Sequence, residues 1–208
     1  MTAERTLLAY PPQPVTLTGR VVSLEPLAPA HGDALAAAAR DGELWNLWYT
    51  LVPKPEQMAA WIGQAQAAQQ QGKALPFAVR DIASGELVGS TRYMNIEPDR
   101  RRLEIGTTWY AARVQRSPLN TEAKLLLLGH AFEALGCIAV EFRTHFFNFR
   151  SREAIAKLGA KQDAVLRQHM VMPDGTLRDT VVFSIIDSEW PTVKTHLRHR
   201  LERLGGTR

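Results

Sequence analysis

The stretch that decides the fold is LEIGTTWYAARVQRSPLNTEAKLLLLGHAFEALGCIAVEFRT, residues 103–144. Alternating residues at its two ends predict strands, one at 103–110 and one from Ile138 onward. Between them, an apolar stripe at helical spacing predicts a helix over about residues 119–135 that ends at Gly136. The stripe consists of Leu125, Leu128, Phe132 and Leu135. A strand, a helix and a strand in this order form a crossover within one sheet, and a ligand site is expected where the crossover helix begins.

The segments on either side extend this unit into an α+β fold. Upstream, strands predicted at 75–80 and 87–94 are joined to each other and to the strand at 103–110 by turn residues of hairpin length, so they are expected to run antiparallel. Other strands are predicted at 15–24, 165–172 and 179–186, and other helices at 29–41, from Pro55, from Asn148 and after Ser188. One mostly antiparallel sheet, covered by helices on both faces and followed by an extra C-terminal helix, satisfies this order.

Composition excludes several classes of protein. The chain has 208 residues and a formal net charge of +4, but residues 194–208 alone carry five basic residues and one acidic residue. The rest is therefore neutral overall, which argues against a nucleic-acid-binding surface and leaves binding by the basic tail as a rival hypothesis. No apolar stretch is long enough to span a bilayer and no secretory signal is evident, so we expect a cytoplasmic protein without a membrane partner.

Cysteine and histidine content predicts that the chain binds no metal. Cys137 is the only cysteine, so neither an intramolecular disulfide nor a zinc cluster built from cysteines can form. Its apolar neighbours indicate a small buried residue rather than a reactive thiol. The six histidines show neither HxxxH nor HxH spacing.

No linker divides the chain. We expect an N-terminal extension over residues 1–14, one domain over 15–190 and a basic C-terminal helix over 191–208. That helix carries an apolar stripe that would be exposed if nothing covered it. The stripe consists of Val193, Leu197, Leu201 and Leu204. It is expected to pack on its own domain or on a second subunit, so a homodimer is one option.

Three groups of residues near the crossover could carry chemistry. Residues 115–121, Gln-Arg-Ser-Pro-Leu-Asn-Thr, precede the crossover helix, where free backbone N–H groups and the helix dipole favour an anion such as pyrophosphate. The alternative is that Ser117 or Asn120 only caps the helix. Asn148 and Ser151 begin the next helix, where an Asn cap and a Gly stop are a complete structural account and a functional role is the alternative. Glu104 is either a solvated strand carboxylate or a general base.

Taken together and in this order, these motifs resemble the GNAT acetyltransferase superfamily, in the branch of ribosomal-protein N-terminal (RimJ/RimL-type) acetyltransferases. The matching stretches are Glu104-Ile-Gly, Asn120-Thr-Glu-Ala, residues 148–160 (NFRSREAIAKLGA), residues 165–169 (VLRQH), residues 174–180 (DGTLRDT) and Glu189-Trp190. The resemblance covers roughly residues 15–190. It implies a GNAT-like sheet with two splayed parallel strands at the cofactor cleft, and transfer of acetyl from acetyl-coenzyme A (acetyl-CoA) to an amine.

The resemblance also implies roles for individual residues. Glu104 would be the base, acting through a water molecule, and Ser151 would hydrogen-bond the departing sulfur. The cofactor would contact Trp109, Tyr110, Gln115, Arg116, Ser117, Leu119, Asn120, Thr121, Asn148 and Arg152. The pyrophosphate loop departs from the family pattern, because Pro118 removes an N–H donor and Asn120 adds bulk where a small residue is usual.

The acceptor side is the least readable part of the sequence. Aromatic side chains between the first two helices, with two residues of a neighbouring strand, are expected to line it; the alternative is that the aromatic residues belong to a satellite core. These residues are Trp45, Trp48, Tyr49, Thr91 and Tyr93. The acceptor is either a protein N-terminus or a small amine such as a polyamine, an amino acid or an antibiotic. A non-catalytic acyl-CoA-binding or regulatory domain is the alternative to an enzyme.

Overall fold

The structure is a computed structural model that describes residues 10–205. Eight strands form one sheet: β1 (Leu17–Thr18), β2 (Val22–Pro26), β3 (Ala74–Asp81), β4 (Leu87–Glu97), β5 (Arg102–Tyr110), β6 (Ala139–His145), β7 (Lys161–Val171) and β8 (Leu177–Ile186). The helices are α1 (Gly32–Arg40), α2 (Met58–Gln70), α3 (Pro118–Gly129), α4 (Phe149–Ala156) and α5 (Trp190–Gly205). Residues 1–9 of the predicted extension and residues 206–208 of the predicted last helix lie outside the described residues.

The sheet order is β1-β2-β3-β4-β5-β6-β8-β7. Every neighbouring pair is antiparallel except β5 and β6, which are parallel and joined through α3. The predicted α+β class, the hairpins and the crossover are therefore confirmed. Within residues 10–205, no helix has both the length and the apolar character needed to cross a bilayer.

The parallel pair is short. Its register matches Arg102 with Ala139, Leu103 with Val140 and Glu104 with Glu141. Beyond Glu104 the two strands no longer pair, although β5 continues to Tyr110 and β6 to His145. The sheet therefore opens into a fork whose apex is at Glu104, which confirms the predicted splayed strands.

The crossover helix differs from its prediction. Instead of one α-helix to residue 135, α3 ends at Gly129 and a π-helical turn covers His130–Ala134. The wider turn follows the carbonyl of Leu127, which accepts a hydrogen bond of 2.7 Å from the hydroxyl of buried Tyr93. A side-chain donor on a helix carbonyl competes with the regular ladder of the helix, which is a recognised cause of such local widening.

Glu122 ties α3 to the N-terminal strands. Its carboxylate accepts hydrogen bonds from the backbone N–H groups of Arg20, Val21 and Val22, at 2.9, 2.7 and 3.1 Å. The turn between β1 and β2 begins at Gly19, where a Cβ atom would lie only 2.4 Å from Cδ of Glu122. A glycine is therefore required there, and the contact fixes α3 against the edge of the sheet.

The C-terminal helix α5 packs on the domain. Trp190 stacks on Phe132 at 5.4 Å, and its indole N–H donates to Glu133 Oε1 at 2.7 Å. Val193, Leu197 and Leu201 of the predicted stripe are buried, whereas Leu204 is 39% exposed. Helix α5 thus packs against α3 and, through Trp190, against the π-helical turn, and a homodimer stays a prediction.

The packing of α5 predicts unequal effects of two leucine truncations on the same helix. Leu197→Ala removes a side chain that is fully buried, so it should lower the free energy of unfolding by about 2–5 kcal/mol. Leu204→Ala, the matched control, should cost much less. Urea unfolding of both variants measures the two values, and equal losses would contradict the packing described here.

Candidate active site

The fork between β5 and β6 contains a cavity of about 530 Å³. A second cavity of about 540 Å³ adjoins it toward the N-termini of α3 and α4. The two cavities share several lining residues and so form one continuous cleft. The shared residues are Tyr49, Thr50, Val52, Thr108, Trp109, Tyr110, Asn120, Asn148, Ser151 and Ala154. Six of these belong to the set that the sequence predicts.

Glu104 lies at the apex of the fork and lines the first cavity. It is only 5% exposed, which excludes the solvated-carboxylate interpretation. Asn95 Nδ2 donates to its Oε2 at 2.7 Å, and Arg143 Nε lies 3.5 Å from the same oxygen. Burial raises the pKa of Glu104, and the hydrogen bond from Asn95 and the charge of Arg143 oppose that rise. A raised pKa brings a carboxylate closer to the range useful for a general base.

Gly106 allows the carboxylate of Glu104 to fold back along its own strand. A Cβ atom at Gly106 would lie 2.8 Å from Glu104 Oε1 and 2.7 Å from Met94 Sδ. Any larger residue would displace the carboxylate or the methionine. The glycine is therefore part of what positions Glu104.

Lys124 is a cleft residue that sequence reasoning missed. It lies on α3, lines the first cavity and is 5% exposed. Its ammonium group donates to Thr108 Oγ1 at 3.2 Å, and burial lowers the pKa of Lys124 to about 7. A signal was present in the sequence, because Lys124 stands four residues before Leu128 on the apolar face of the helix, where a lysine is unusual.

The loop before α3 combines a helix cap with the lining of the cleft. Ser117 Oγ accepts from the backbone N–H of Leu119 at 3.3 Å, so the predicted cap is present. Gln115, Arg116, Ser117, Asn120 and Thr121 all line the second cavity. Leu119 is instead buried in the core.

Three polar atoms of residues that line both cavities are buried without a hydrogen-bond partner among the described residues. They are Nε1 of Trp109, the hydroxyl oxygen of Tyr110 and Oδ1 of Asn120. Buried polar atoms are normally paired, so such orphans indicate a place where a ligand with complementary groups would bind. The predicted cofactor residues that line the second cavity therefore form a surface that suits an extended ligand with hydrogen-bonding groups along its length.

The start of α4 contributes Asn148 and Ser151 to both cavities. Asn148 Oδ1 accepts from the backbone N–H of Ser151 at 3.0 Å and so caps the helix. Arg152, expected at the cofactor, has a different place. It donates to the carbonyl of Phe146 at 3.1 Å and stacks over the rings of Phe146 and Phe149, so the structure gives it a packing role outside the cleft.

The expected acceptor residues are only partly brought together. Tyr49 lines both cavities, and Trp48, 53% exposed, lies against His145 at the rim with ring centroids 5.0 Å apart. Trp45 packs against the hydrophobic core.

Thr91 and Tyr93 are corrections to the expected acceptor wall. Both are fully buried, Thr91 bonded to the hydroxyl of Thr108 and Tyr93 to the crossover helix. Both side chains lie on the face of β4 that α3 covers, because Tyr93 bonds to Leu127 and the Thr108 partner of Thr91 bonds to Lys124. In their place, Arg143, His145, His169, Met170, Arg178 and Thr180 line the first cavity.

Comparison with known proteins places this sheet in a known family. Residues 22–161 match the family model described as acetyltransferase (GNAT) domain. The chain therefore belongs to the GNAT acetyltransferase family, and the resemblance seen in the sequence is confirmed. A comparison with curated proteins finds no match.

Solved structures from several bacteria share the fold. A GCN5-related N-acetyltransferase from Brucella melitensis is 33% identical, with a TM-score of 0.84 over 95% of this chain and 90% of that one. A structure from T. thermophilus assigned as an acetyltransferase is 36% identical, with a TM-score of 0.80 over 91% and 98%. Mycobacterium smegmatis RimJ, in complex with CoA-disulfide, is 21% identical, with a TM-score of 0.76 over 94% and 97%. RimJ thus shares the fold at low identity.

Proposed function

We propose that this chain transfers an acetyl group from acetyl-CoA to a primary amine, on a protein N-terminus or on a small molecule. The observation that carries the proposal is the position of a buried carboxylate, Glu104, at the apex of a fork where β5 loses its partner strand. Family membership supports acetyl transfer, and the CoA-disulfide held by RimJ supports acetyl-CoA as the co-substrate.

The pantetheine arm of acetyl-CoA fits the open edge of β5. From Ile105 onward the backbone of β5 no longer pairs with β6, so its N–H and C=O groups on that side can pair with the amides of an extended arm. Trp109 and Tyr110 would flank the arm and Asn148 would bond to it. The pyrophosphate would lie at the N-terminus of α3, beside Gln115, Arg116, Ser117, Asn120 and Thr121.

In the reaction, the amine nitrogen attacks the thioester carbonyl, forming the C–N bond and breaking the C–S bond. The attacking amine gives up a proton, which Glu104 accepts directly or through water. The departing thiolate is stabilised by the hydroxyl of Ser151, which lines the same cavity as Glu104, and takes up a proton from solvent. A backbone N–H of β5 would polarise the thioester oxygen.

A two-stage experiment tests the proposal. Calorimetry with acetyl-CoA measures binding, and release of the CoA thiol across a panel of primary amines measures transfer. Binding together with amine-dependent thiol release is expected. Binding without release from any amine would favour the non-catalytic acyl-CoA-binding alternative, and absence of binding would reject both.

Asn148 offers a prediction that separates its two roles. Asn148→Asp keeps an oxygen for the N–H of Ser151 but loses the amide donor, so it should raise the apparent KM for acetyl-CoA while Tm changes little. Asn148→Ala should affect both quantities. If Asn148→Asp leaves the KM at the wild-type value, Asn148 serves only as the cap of α4.

A further inference from the structure

Arg178 lines the first cavity on the side of β8 and forms no ion pair with a carboxylate of residues 10–205. It lies at the start of β8, is half-buried and lines the same cavity as Glu104. Its Nε donates to Thr180 Oγ1 at 3.0 Å, and among residues 10–205 no carboxylate lies within ion-pair distance of it. A guanidinium has five N–H donors, so most of its hydrogen-bonding capacity is left for a ligand.

The neighbouring charges are already matched to one another. Arg143 pairs with Glu141 at 2.9 Å and lies 3.5 Å from Glu104, and Arg102 also pairs with Glu141. The two carboxylates, of Glu104 and Glu141, are thus balanced by the guanidinium groups of Arg102 and Arg143. The positive charge of Arg178 is not balanced by either of them. Burial lowers the pKa of Arg178 and the charge of Glu104 raises it, yet an arginine stays protonated at neutral pH.

His145 adds a second donor at this end of the cavity. Its Nδ1 accepts from the backbone N–H of Phe147 at 3.1 Å, so the neutral ring carries its proton on Nε2. That Nε2 is buried and has no hydrogen-bond partner among the described residues. Burial and the nearby charge of Arg178 lower the pKa of His145 more than the charge of Asp179 raises it, which favours the neutral ring. Asp179 itself pairs with Arg167 at 2.6 Å.

We infer that the acetyl acceptor carries an oxyanion, a carboxylate or a phosphate, on the same molecule as its amine, and that Arg178 binds this oxyanion with His145 as a second donor. The inference rests on the proposed function and names the substrate class of the same site. The amine lies toward Glu104 and the oxyanion toward β8. A polyamine is a poor acceptor, because it would place a cation beside Arg178.

Matched pairs of acceptors test the inference. Glycine, β-alanine and γ-aminobutyrate are each compared with their amides, which varies the spacing between amine and carboxylate. Phosphoethanolamine is compared with ethanolamine, and a peptide amide with aspartate at its second position is compared with the asparagine version. These arms distinguish a free carboxylate, a phosphate and an acidic peptide as the source of the oxyanion.

In at least one pair, the wild-type kcat/KM should favour the anionic member by about 10- to 100-fold, the size of a charge-assisted contact. Arg178→Gln should abolish that preference, and Arg178→Lys should retain part of it. Arg100→Gln, which removes an exposed cation that lines neither cavity, should leave that preference unchanged. Equal rates within every wild-type pair, or an unchanged preference in folded Arg178→Gln, would overturn the inference.

A binding experiment keeps the inference testable if no amine is acetylated. In protein saturated with CoA, N-acetylglycine should bind at least about 10-fold more tightly than N-acetylglycinamide, and Arg178→Gln should remove the difference. Loss of acetyl transfer with this difference retained would reject the proposed function alone. The same comparison is made between the N-acetyl derivatives of β-alanine and phosphoethanolamine and their neutral counterparts. The inference would be rejected if, in every pair, the anionic and the neutral compound bind equally well.

Discussion

Glu104→Gln is expected to lower kcat by about 10²- to 10⁴-fold with acetyl-CoA binding retained. Glutamine has nearly the same shape and can still accept the hydrogen bond from Asn95, so β4 and β5 should keep their arrangement. It cannot take a proton from the attacking amine. Steady-state kinetics with one acceptor, together with calorimetry of acetyl-CoA binding, measure the two effects separately.

The pH dependence identifies the ionising group. A carboxylate acts as a base only above its pKa, so wild-type kcat/KM should rise with pH through the raised pKa of Glu104, and this rise should be absent in the variant. Full pH profiles of both proteins, begun well below pH 7, show this rise, and their rates are then compared at pH 7, where free amine is scarce, and at pH 9.5, where it is abundant. Equal rates at both values would eliminate Glu104 as the base, whereas a deficit that persists at high pH, in folded protein that binds cofactor, supports the role.

A control variant separates loss of the base from loss of a carboxylate in general. Glu97→Gln removes a carboxylate at the exposed end of β4, where Glu97 pairs with Arg100 at 3.1 Å. It should leave both kcat and the pH profile at the wild-type values. If Glu97→Gln lowers kcat as much as Glu104→Gln does, loss of either carboxylate disturbs the sheet. The kinetic results would then give no support to Glu104 as the base.

Lys124→Met is expected to make the protein more stable at pH 7. The difference between an ordinary lysine pKa of 10.5 and the value of about 7 for buried Lys124 corresponds to roughly 5 kcal/mol of unfavourable charge burial. Methionine fills a similar volume without a charge, and the Thr108 hydroxyl keeps its contact with Thr91. Urea unfolding measures the gain, whose upper limit is that figure.

The gain should depend on pH with a definite sign. Between about pH 7 and pH 10.5, Lys124 is neutral in the folded protein but protonated in the unfolded chain. The unfolded state binds the additional proton, so the stability of the wild type rises with pH in this window. The advantage of Lys124→Met should therefore shrink by about 1.4 kcal/mol for each pH unit from 7 to 9.

Lys73→Met provides the control, because Lys73 is exposed and its replacement should change stability little at any pH in this range. Two results would contradict an unfavourable burial of the Lys124 charge: a lower free energy of unfolding in Lys124→Met, or a gain of the same size at pH 7 and pH 9. Acetyl transfer by Lys124→Met, measured in parallel, shows whether the cleft uses the ammonium group.

The sequence predicted the parts of the site that depend on local pattern. The crossover, the fork, the loop before α3 and the cap at Asn148 follow from strand and helix periodicity and from the family motifs. Glu104 could be named because it sits on a short strand beside the crossover. The capping roles of Ser117 and Asn148 were also among the alternatives, and both are present in the structure.

What could not be predicted depends on contacts between distant segments. Alternation places Thr91 and Tyr93 on one face of β4. When helices cover both faces of a sheet, alternation alone does not show which face lines the cleft. The π-helical turn at His130–Ala134 follows a hydrogen bond between residues 34 positions apart in sequence. Arg178 stands far along the chain from Glu104, and only the order β5-β6-β8 brings them to one cavity.

The short parallel ladder also bears on how the molecule assembles. Strands β1 to β5 pair only with their neighbours in sequence, and β6, β7 and β8 form a second antiparallel leaf, so each leaf is built from its own stretch of chain. The two leaves pair with each other only through the three residue pairs of the parallel ladder between β5 and β6. Glu104 belongs to the first leaf, while Ser151 and Arg178 belong to the second. Neither leaf alone carries a complete site, so the acetyl-transfer chemistry arises only at the seam, once both leaves have docked.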